Sequence, residues 1–207
     1  STGFIDRVLV TAEAYHIPAA IVFNKTDLYS KTSYDRYHEL LAVYRSIGYG
    51  GYAVSALNGE GVDELRTDMK DKVNLFTGHS GVGKSALINA LDPALKIRTG
   101  VISDYHLKGM HTTTFAEMHK MSHGGYIIDT PGIKEFGLVH FESREIAERF
   151  PEFRELLPLC RYYNCTHVHE PGCAVKEALE DGRIYKGRYR NYLGILNDEN
   201  LDVTEYA

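Results

Sequence analysis

The chain has 207 residues, of which 43% are hydrophobic and 25% are charged, with a formal net charge of −5. This length suffices for one medium-sized domain and a small one, and the composition argues against disorder. No apolar run reaches the ~20 residues needed to cross a bilayer, and no secretory signal stands at the start, so we expect a cytoplasmic protein without membrane contact.

Helix and strand patterns alternate through the first half of the chain. Residues 4–15 have the spacing of an amphipathic helix, and residues 19–23 form a short apolar run typical of a buried parallel strand. Further helices are predicted at 33–50 (closed by Gly48), 61–72 and 85–91, and further strands at 51–57 and 73–78. This alternation predicts an α/β fold, a mostly parallel sheet with helices on both faces.

The second half of the chain is less regular. Strands at 115–121 and 125–129 are predicted to form a hairpin. Helical patterns then run through 143–159, 172–182 and 183–201. We place a boundary near Val139, with a first domain at residues 1–139 and a small, mainly helical domain at residues 140–207.

The stretch NLFTGHSGVGKSALINAL, residues 74–91, contains a phosphate-loop pattern between a strand and a helix. Its glycines let the backbone approach phosphates, and the helix adds the positive end of its dipole. We expect Lys84 to act on the β and γ oxygens as a catalytic residue, and the Ser85 hydroxyl to coordinate Mg²⁺. The predicted phosphate-binding residues are Gly78, His79, Ser80, Gly81, Val82, Gly83, Lys84, Ser85 and Ala86. The alternative is a glycine-rich turn with a chance lysine, against which the flanking strand and helix argue.

Two motifs that suit base recognition come earlier in the chain. In NKTD, residues 24–27, the Asp27 carboxylate can accept hydrogen bonds from the N1–H and 2-amino groups of guanine, which adenine lacks. Lys25 would lie along the base, and the backbone of SAL, residues 55–57, could donate to guanine O6. The predicted base-binding residues are Asn24, Lys25, Thr26, Asp27, Ser55 and Ala56. Alone, NKTD is better explained as a solvated turn, and SAL alone indicates nothing.

The motif DTPG, residues 129–132, follows the strand GYIID. Asp129 would hold Mg²⁺ through water and the Gly132 N–H would meet the γ-phosphate, although a plain Pro-Gly turn is the alternative. Together the motifs are the parts of a GTPase, but the base motifs precede the phosphate loop. The chain therefore resembles a circularly permuted GTPase, a rearrangement tolerated because domain termini often lie close together. An ATP-dependent phosphate-loop enzyme is the alternative, in which Asp27 would have no purpose.

All three cysteines fall in the stretch CRYYNCTHVHEPGC, residues 160–173. An odd number of cysteines in a short window argues against a disulfide framework. Three thiolates and one imidazole suit a tetrahedral structural Zn²⁺, so Cys160, Cys165, His167 and Cys173 are the predicted zinc ligands. The alternatives are buried thiols without a metal, or His169 in place of His167.

With the permuted order, the cysteine cluster and KGMHTTT, residues 108–114, the sequence resembles the ribosome small subunit-dependent GTPase A family over nearly its whole length. The resemblance implies binding of GTP and GDP, a structural zinc, and a GTPase stimulated by the 30S ribosomal subunit during its late maturation, with rRNA as a partner. It also implies an N-terminal OB-fold domain and a strand before the first helix. Neither precedes Phe4, so we expect a truncated chain.

Many GTPases have a glutamine just after the equivalent of DTPG that orients the water attacking the γ-phosphate. Here the apolar Ile133 follows DTPG and cannot orient a water, so another residue must do so. Our candidate catalytic residue is His111, whose neutral imidazole could accept from the water. Among Thr112, Thr113 and Thr114 we favour Thr113 as the residue that completes the Mg²⁺ shell and binds the nucleotide. The alternative is that His111 is a solvated loop residue.

The stretch DGRIYKGRYRNY, residues 181–192, interleaves basic and aromatic residues. Such a pattern can contact RNA phosphates and stack on bases, or it can be a solvated helix face with packed tyrosines. The family resemblance favours the RNA interpretation and implies a GTPase that binds rRNA, which we expect to be monomeric. The alternative is a zinc-stabilised, guanine-nucleotide-dependent RNA-binding module of little turnover.

Overall fold

The computed structural model describes residues 1–98, 116–130 and 142–197. Several predictions fall outside these ranges and stay predictions. They concern His111, Thr112, Thr113, Thr114, Gly132, Ile133 and the boundary near Val139. Within the described residues, no helix is long and apolar enough to span a membrane.

The helices and strands follow the predicted order. They are α1 (Thr2–Ala14), β1 (Ala20–Phe23), α2 (Lys31–Ser46), β2 (Gly50–Ala53), α3 (Val62–Met69), β3 (Val73–Phe76), α4 (Lys84–Leu91), β4 (Glu117–Lys120), β5 (Tyr126–Asp129), α5 (Ser143–Glu148), α6 (Pro151–Arg154), α7 (Ala174–Glu180) and α8 (Lys186–Leu196). Short 3₁₀ turns lie at Thr26–Leu28 and Leu157–Leu159. After α2, Gly48 has a φ of +96°, a conformation that glycine adopts without strain, and the Tyr49 N–H donates to the carbonyl of Tyr44 at 3.0 Å.

The strands form two hydrogen-bonded groups. β3 and β5 are parallel, with Val73 opposite Tyr126 and Phe76 opposite Asp129. β4 pairs antiparallel with β5, which confirms the predicted hairpin, whereas β1 and β2 form a separate sheet. The sequence predicted a parallel sheet from strand–helix alternation, but strand pairing depends on contacts distant in sequence that this alternation does not encode. The parallel β3–β5 pair brings the carboxyl ends of both strands, the phosphate loop and Asp129, to one edge.

The compact unit formed by Val22–Leu41 and Gly51–Lys134, here called the phosphate-loop unit, has its own apolar core. The core residues are Val54, Val62, Leu65, Met69, Leu87, Ile88, Leu91, Met121 and Ile127. The Arg66 guanidinium of α3 donates to the carbonyls of Ala90 at 2.9 Å and Leu91 at 2.8 Å. These carbonyls end α4 and have no partners within the helix, so Arg66 holds the helix that carries Lys84.

The second compact unit comprises Ser1–Ile21, Ala42–Gly50 and Glu135–Ala207, and is here called the cysteine-cluster unit. Its core contains Val10, Ile146, Ala147, Phe150, Phe153, Cys165, Cys173, Val175, Ala178, Ile184, Tyr192 and Ile195. Helix α1, from the start of the chain, therefore packs with helices from its end.

A buried charged network joins these helices. Asp6 of α1 is 0% exposed and accepts hydrogen bonds from Arg188, from Asn191 at 2.5 Å and from Tyr44 at 2.8 Å. The Arg188 guanidinium also makes a two-pronged ion pair with Glu152, at 2.7 and 3.0 Å. Burial raises the pKa of Asp6, and the positive charge of Arg188 opposes that shift. Because every polar group has a partner, the network is compatible with burial.

Candidate nucleotide-binding site and metal centre

The phosphate loop folds around the side chain of Lys84. The Nζ of Lys84 donates to the carbonyls of Gly78 at 2.6 Å and His79 at 3.1 Å. Gly81 and Gly83 have φ values of +81° and +90°, in the left-handed region that favours glycine. Burial lowers the pKa of Lys84, while Asp129 opposes that shift.

The remaining predicted loop residues continue from this turn into α4. Ser80 and Val82 are exposed, and Ser85 and Ala86 lie half-buried in the first turn of the helix. The helix N-terminus thus follows the loop directly, which is the arrangement that binds phosphate through backbone N–H groups.

Hydrogen bonds from NKTD join this motif to the phosphate loop, 50 to 60 residues later in the chain. The Asn24 amide donates to the carbonyls of Val82 at 3.1 Å and Gly83 at 3.3 Å. The Nζ of Lys25 donates to the Gly81 carbonyl at 2.7 Å. A Cβ on Gly83 would come within 2.6 Å of the Asn24 amide nitrogen, so a larger residue here would displace the Asn24 side chain from this contact. The structure therefore brings the two motifs together, although NKTD precedes the phosphate loop in the chain.

The second base motif is joined to the first through side chains. The buried Ser55 hydroxyl donates to the Asp27 carboxylate at 2.5 Å, and the Ala56 N–H donates to Asn24 Oδ1 at 3.2 Å. Asp27 itself is exposed. In the same segment, the Thr26 hydroxyl donates to Glu60 at 3.1 Å. Sequence reasoning assigned Ser55 a backbone role only; its hydroxyl orients Asp27.

Asp129 lies beside the phosphate loop with an unsatisfied carboxylate. It is 6% exposed, and its Oδ1 is buried without a hydrogen-bond partner in the part of the chain that the structure describes, as is the hydroxyl of Thr77. Burial raises the pKa of Asp129, whereas Lys84 lowers it. The neighbouring Thr130 hydroxyl donates to the carbonyl of Phe76 at 2.7 Å and fixes the start of DTPG against β3. Two orphaned oxygen atoms at this edge suit a hard cation such as Mg²⁺.

The four predicted zinc ligands converge in the cysteine-cluster unit. Their ligand atoms all lie within 4.8 Å of one another. The Nδ1 of His167 lies 3.4 Å from the Sγ of Cys173 and 3.7 Å from that of Cys160. Around a tetrahedral zinc, with Zn–S of about 2.3 Å and Zn–N of about 2.0 Å, neighbouring ligand atoms lie about 3.5–3.8 Å apart. His169 does not belong to this group in the described chain.

The electrostatics of this group also fit a cation. Burial, together with the neighbouring Cys173 and Cys160 thiols, raises the pKa of Cys165 to about 12. Burial also raises the pKa of Cys173 and lowers that of His167. Three thiolates at these distances repel one another, and a divalent cation compensates their charge. The donor set, three sulfurs and one nitrogen, is one that zinc prefers.

Glu170, which sequence reasoning missed, organises the loop that carries His167. Its carboxylate accepts from the Thr166 N–H at 2.8 Å, the Thr166 hydroxyl at 2.6 Å, the Val168 N–H at 3.1 Å and the His169 N–H at 3.2 Å. Although burial acts in the opposite direction, these hydrogen bonds lower the pKa of Glu170 to about 2. A glutamate between predicted ligands was the available sequence signal.

The structure buries one face of helix α8 in the core of its unit, while Lys186 and Arg190 are exposed. Arg188 is 2% exposed and ion-paired, as described above, and Tyr192 is buried. The hydroxyls of Tyr189 and Tyr192 donate to the carbonyls of His167 at 2.6 Å and Thr166 at 2.8 Å. The interpretation of this stretch as an RNA-stacking face is wrong for Arg188 and Tyr192, because they stabilise the ligand loop and the buried network from inside.

The fold and the joined motifs define the class: a circularly permuted P-loop GTPase fold with a small, helical Cys₃His unit. A sequence profile described as RsgA GTPase matches residues 1–139. The small ribosomal subunit biogenesis GTPase RsgA of Bacteroides fragilis is 53% identical over 199 residues, covering 96% of this chain and 64% of that protein.

Two solved structures are similar. YjeQ from Thermotoga maritima has a TM-score of 0.82 and 38% identity, covering 96% of this chain and 66% of that one. YloQ, described as a circularly permuted GTPase, has a TM-score of 0.76 and 32% identity, covering 96% and 62%. The chain belongs to the RsgA GTPase family, which confirms the family and the permuted fold predicted from the sequence. It spans 64% of the length of its Bacteroides fragilis relative.

Proposed function

We propose that this chain binds GTP and hydrolyses it to GDP and phosphate, as part of a GTPase that assists biogenesis of the small ribosomal subunit. The observation that carries this proposal is the set of hydrogen bonds from Asn24 and Lys25 to the phosphate loop. These contacts support a single nucleotide site formed by the base motif and the phosphate motif, despite their reversed order in the chain. The family, and the name of the Bacteroides fragilis relative as a GTPase of small ribosomal subunit biogenesis, support the same activity.

Guanine selectivity would come from Asp27. Its carboxylate, oriented by the Ser55 hydroxyl, would accept from N1–H and the 2-amino group of guanine. Adenine offers neither donor, so it would leave the carboxylate without these bonds. Lys25, already held along the loop by its bond to Gly81, would cover one face of the base.

The phosphates would be held by the backbone of residues 78–86, with Lys84 on the β and γ oxygens. Ser85, Thr113 and, through water, Asp129 would hold Mg²⁺, which neutralises charge on the phosphates when bound. Ser85 and Asp129 lie at the loop edge, where Asp129 has an orphaned oxygen. We propose further that Gly132 meets the γ-phosphate and that His111 positions the attacking water.

Zinc would have a structural role in the cysteine-cluster unit. Cys160, Cys165, His167 and Cys173 would fill all four positions, which leaves none for substrate and excludes a catalytic role for this metal. We propose that the intact protein is a cytoplasmic monomer whose partners are the 30S subunit and its rRNA. The boundary near Val139, between residues 1–139 and 140–207, belongs to the same proposal.

A nucleotide competition and a turnover assay test the proposed function. Binding of a fluorescent GDP analogue to the intact protein should be displaced by GDP and GTP, and not by ADP or ATP at the same concentrations. Hydrolysis of GTP should be slow alone and faster with purified 30S subunits. Equal displacement by adenine nucleotides would contradict the proposed selectivity for guanine. Guanine binding without 30S-stimulated turnover would favour a nucleotide-dependent RNA-binding module instead.

A further inference from the structure

A basic pocket opens onto one sulfur of the cysteine cluster. Its volume is about 650 Å³, within the range of about 300–1,000 Å³ of small-ligand sites. Cys160 and Cys165 line it, but Cys160 is partly exposed, whereas Cys165 and Cys173 are buried. Of the three candidate zinc-binding sulfurs, that of Cys160 is therefore the one that a small solute reaches most readily. The basic lining consists of Arg144, Arg149, Arg154 and Arg161.

The charge of this lining favours an anionic solute. Glu148 is the one carboxylate among the described residues that line the pocket, and it pairs with Arg144 at 3.2 Å. Arg154 is ion-paired outside the lining. In the part of the chain that the structure describes, Arg149 and Arg161 have no carboxylate partner, and the buried Nε of Arg149 has no hydrogen-bond partner. Guanidinium groups in this situation favour ligands that carry carboxylates or other anionic oxygens.

The sulfur that meets this pocket is also a nucleophile. Its position in the cluster is fixed, since the Sγ of Cys160 lies 3.7 Å from the Nδ1 of His167 and 4.0 Å from the Sγ of Cys173. Cysteine ligands of zinc are thiolates, and thiolates attack disulfides. A small disulfide held by the arginines would therefore lie against a sulfur that can react with it.

We propose that this pocket takes an anionic disulfide of low molecular weight, such as oxidised glutathione, and that Cys160 forms a mixed disulfide with it. The Cys160 thiolate attacks one sulfur of the bound reagent and forms a bond to it. The disulfide bond of the reagent breaks, and its other half leaves with the electron pair as a thiolate, which takes a proton from water. Cys160 is thereby oxidised and the departing half is reduced. Zinc should be released, because the cluster loses one of its four candidate ligands.

Three symmetrical disulfides of different charge test this proposal on the zinc-loaded chain. At neutral pH oxidised glutathione is a net anion, bis(hydroxyethyl) disulfide is neutral and cystamine is a cation. Zinc release is followed with a chromogenic chelator, and each rate is divided by that of the same disulfide with mercaptoethanol, which corrects for intrinsic reactivity. Oxidised glutathione should react at least about tenfold faster than cystamine, the low end of the effect of charged clefts on association rates. Peptide mass mapping after an early acid quench should find the mixed disulfide on Cys160.

A variant and a change of salt test the role of the arginines. Arg161→Ala should reduce the preference for oxidised glutathione over cystamine about fivefold, as expected for one ion pair at contact distance in water. In the parent, about 1 M salt should reduce the same preference, because it shortens the Debye length to about 3 Å. The matched control is Arg183→Ala, which removes an exposed arginine of the same unit outside the pocket lining and should react like the parent.

Zinc content and circular dichroism before the reaction establish that each variant is folded. Equal normalised rates for oxidised glutathione and cystamine would overturn the proposal, as would first modification at Cys165 or Cys173. The salt dependence of the parent keeps the test decisive even where Arg161→Ala does not fold. Because no nucleotide takes part, the result is independent of the proposed GTP hydrolysis.

Discussion

The phosphate-loop unit and the cysteine-cluster unit hold their functional side chains in different ways. In the former, Asn24, Lys25 and Lys84 donate mainly to backbone carbonyls, and Asp27 stays exposed. In the latter, the candidate ligands and Arg188 belong to the buried interior itself. A change in the first should therefore affect ligand binding more than folding. A change in the second should affect folding first.

Loss of a candidate zinc ligand should have the largest effect. Because closed zinc sites contribute about 10–16 kcal/mol of apparent binding energy to folding, Cys173→Ser should lose both zinc and the tertiary structure of its unit. Metal analysis and near-ultraviolet circular dichroism measure this. The control His169→Ala should keep one zinc per chain. A zinc-free Cys173→Ser protein with parent-like near-ultraviolet dichroism would contradict the claim that this unit depends on its metal ligands to fold.

Breaking the buried ion network should come next. Arg188→Ala leaves Asp6 buried with an uncompensated charge, so the free energy of unfolding should fall by about 3–5 kcal/mol. Urea denaturation followed by circular dichroism measures the change. Arg183→Ala, at an exposed pair with Asp181, should stay within about 0.5 kcal/mol of the parent. Equal effects of the two substitutions would contradict the role assigned to the network.

A substitution at Gly83 separates backbone strain from loss of the nucleotide site. Gly83→Ala introduces a Cβ 2.6 Å from the Asn24 amide, at a φ of +90°. Gly48→Ala has a similar φ of +96° and open space around the new Cβ. Both should lose about 1 kcal/mol of stability to strain, but only Gly83→Ala should also lose GDP affinity. Calorimetric titration with GDP distinguishes them; equal affinities would show that Asn24 does not hold the loop.

The smallest effect expected here is the pH dependence contributed by Glu170. The pKa of Glu170 is lowered to about 2 in the folded state. The stabilisation of the fold by its ionised carboxylate is therefore fully present above the ordinary glutamate pKa of about 4.3. Glu170→Gln should therefore be less stable than the parent at pH 7, by about 1 kcal/mol from weaker hydrogen bonds. The difference should shrink as the pH falls from about 4.3 toward 2. A difference independent of pH in denaturant unfolding would contradict this.

The elements and motifs that sequence patterns encode locally could be predicted. The strand, glycine turn and helix around Lys84 are contiguous, and Gly48 ends α2 through its own backbone conformation. Other features depend on residues distant in sequence. The buried pairing of Arg188 with Asp6 spans 182 positions, and a basic residue among tyrosines carries no sign of it. The separation of the strands into two sheets depends on pairing in the same way.

The candidate metal ligands include one feature that the sequence predicts and one that only the folded structure decides. Three cysteines and a histidine in one short stretch were enough to predict a cluster, but the choice between His167 and His169 depended on the loop that Glu170 orders. His167 has a φ of +60°, which no local pattern indicated.

The most direct measurement of the central claim is a change of base preference at Asp27. Xanthine carries a carbonyl where guanine has its 2-amino group, so an asparagine side chain at this position would accept from N1–H and donate to that carbonyl. Asp27→Asn should bind GDP about 5- to 150-fold more weakly and gain affinity for xanthosine diphosphate. Asp27→Ala, the control, should bind both poorly. Unchanged preference for GDP over xanthosine diphosphate in Asp27→Asn would contradict the assignment of this aspartate to the base.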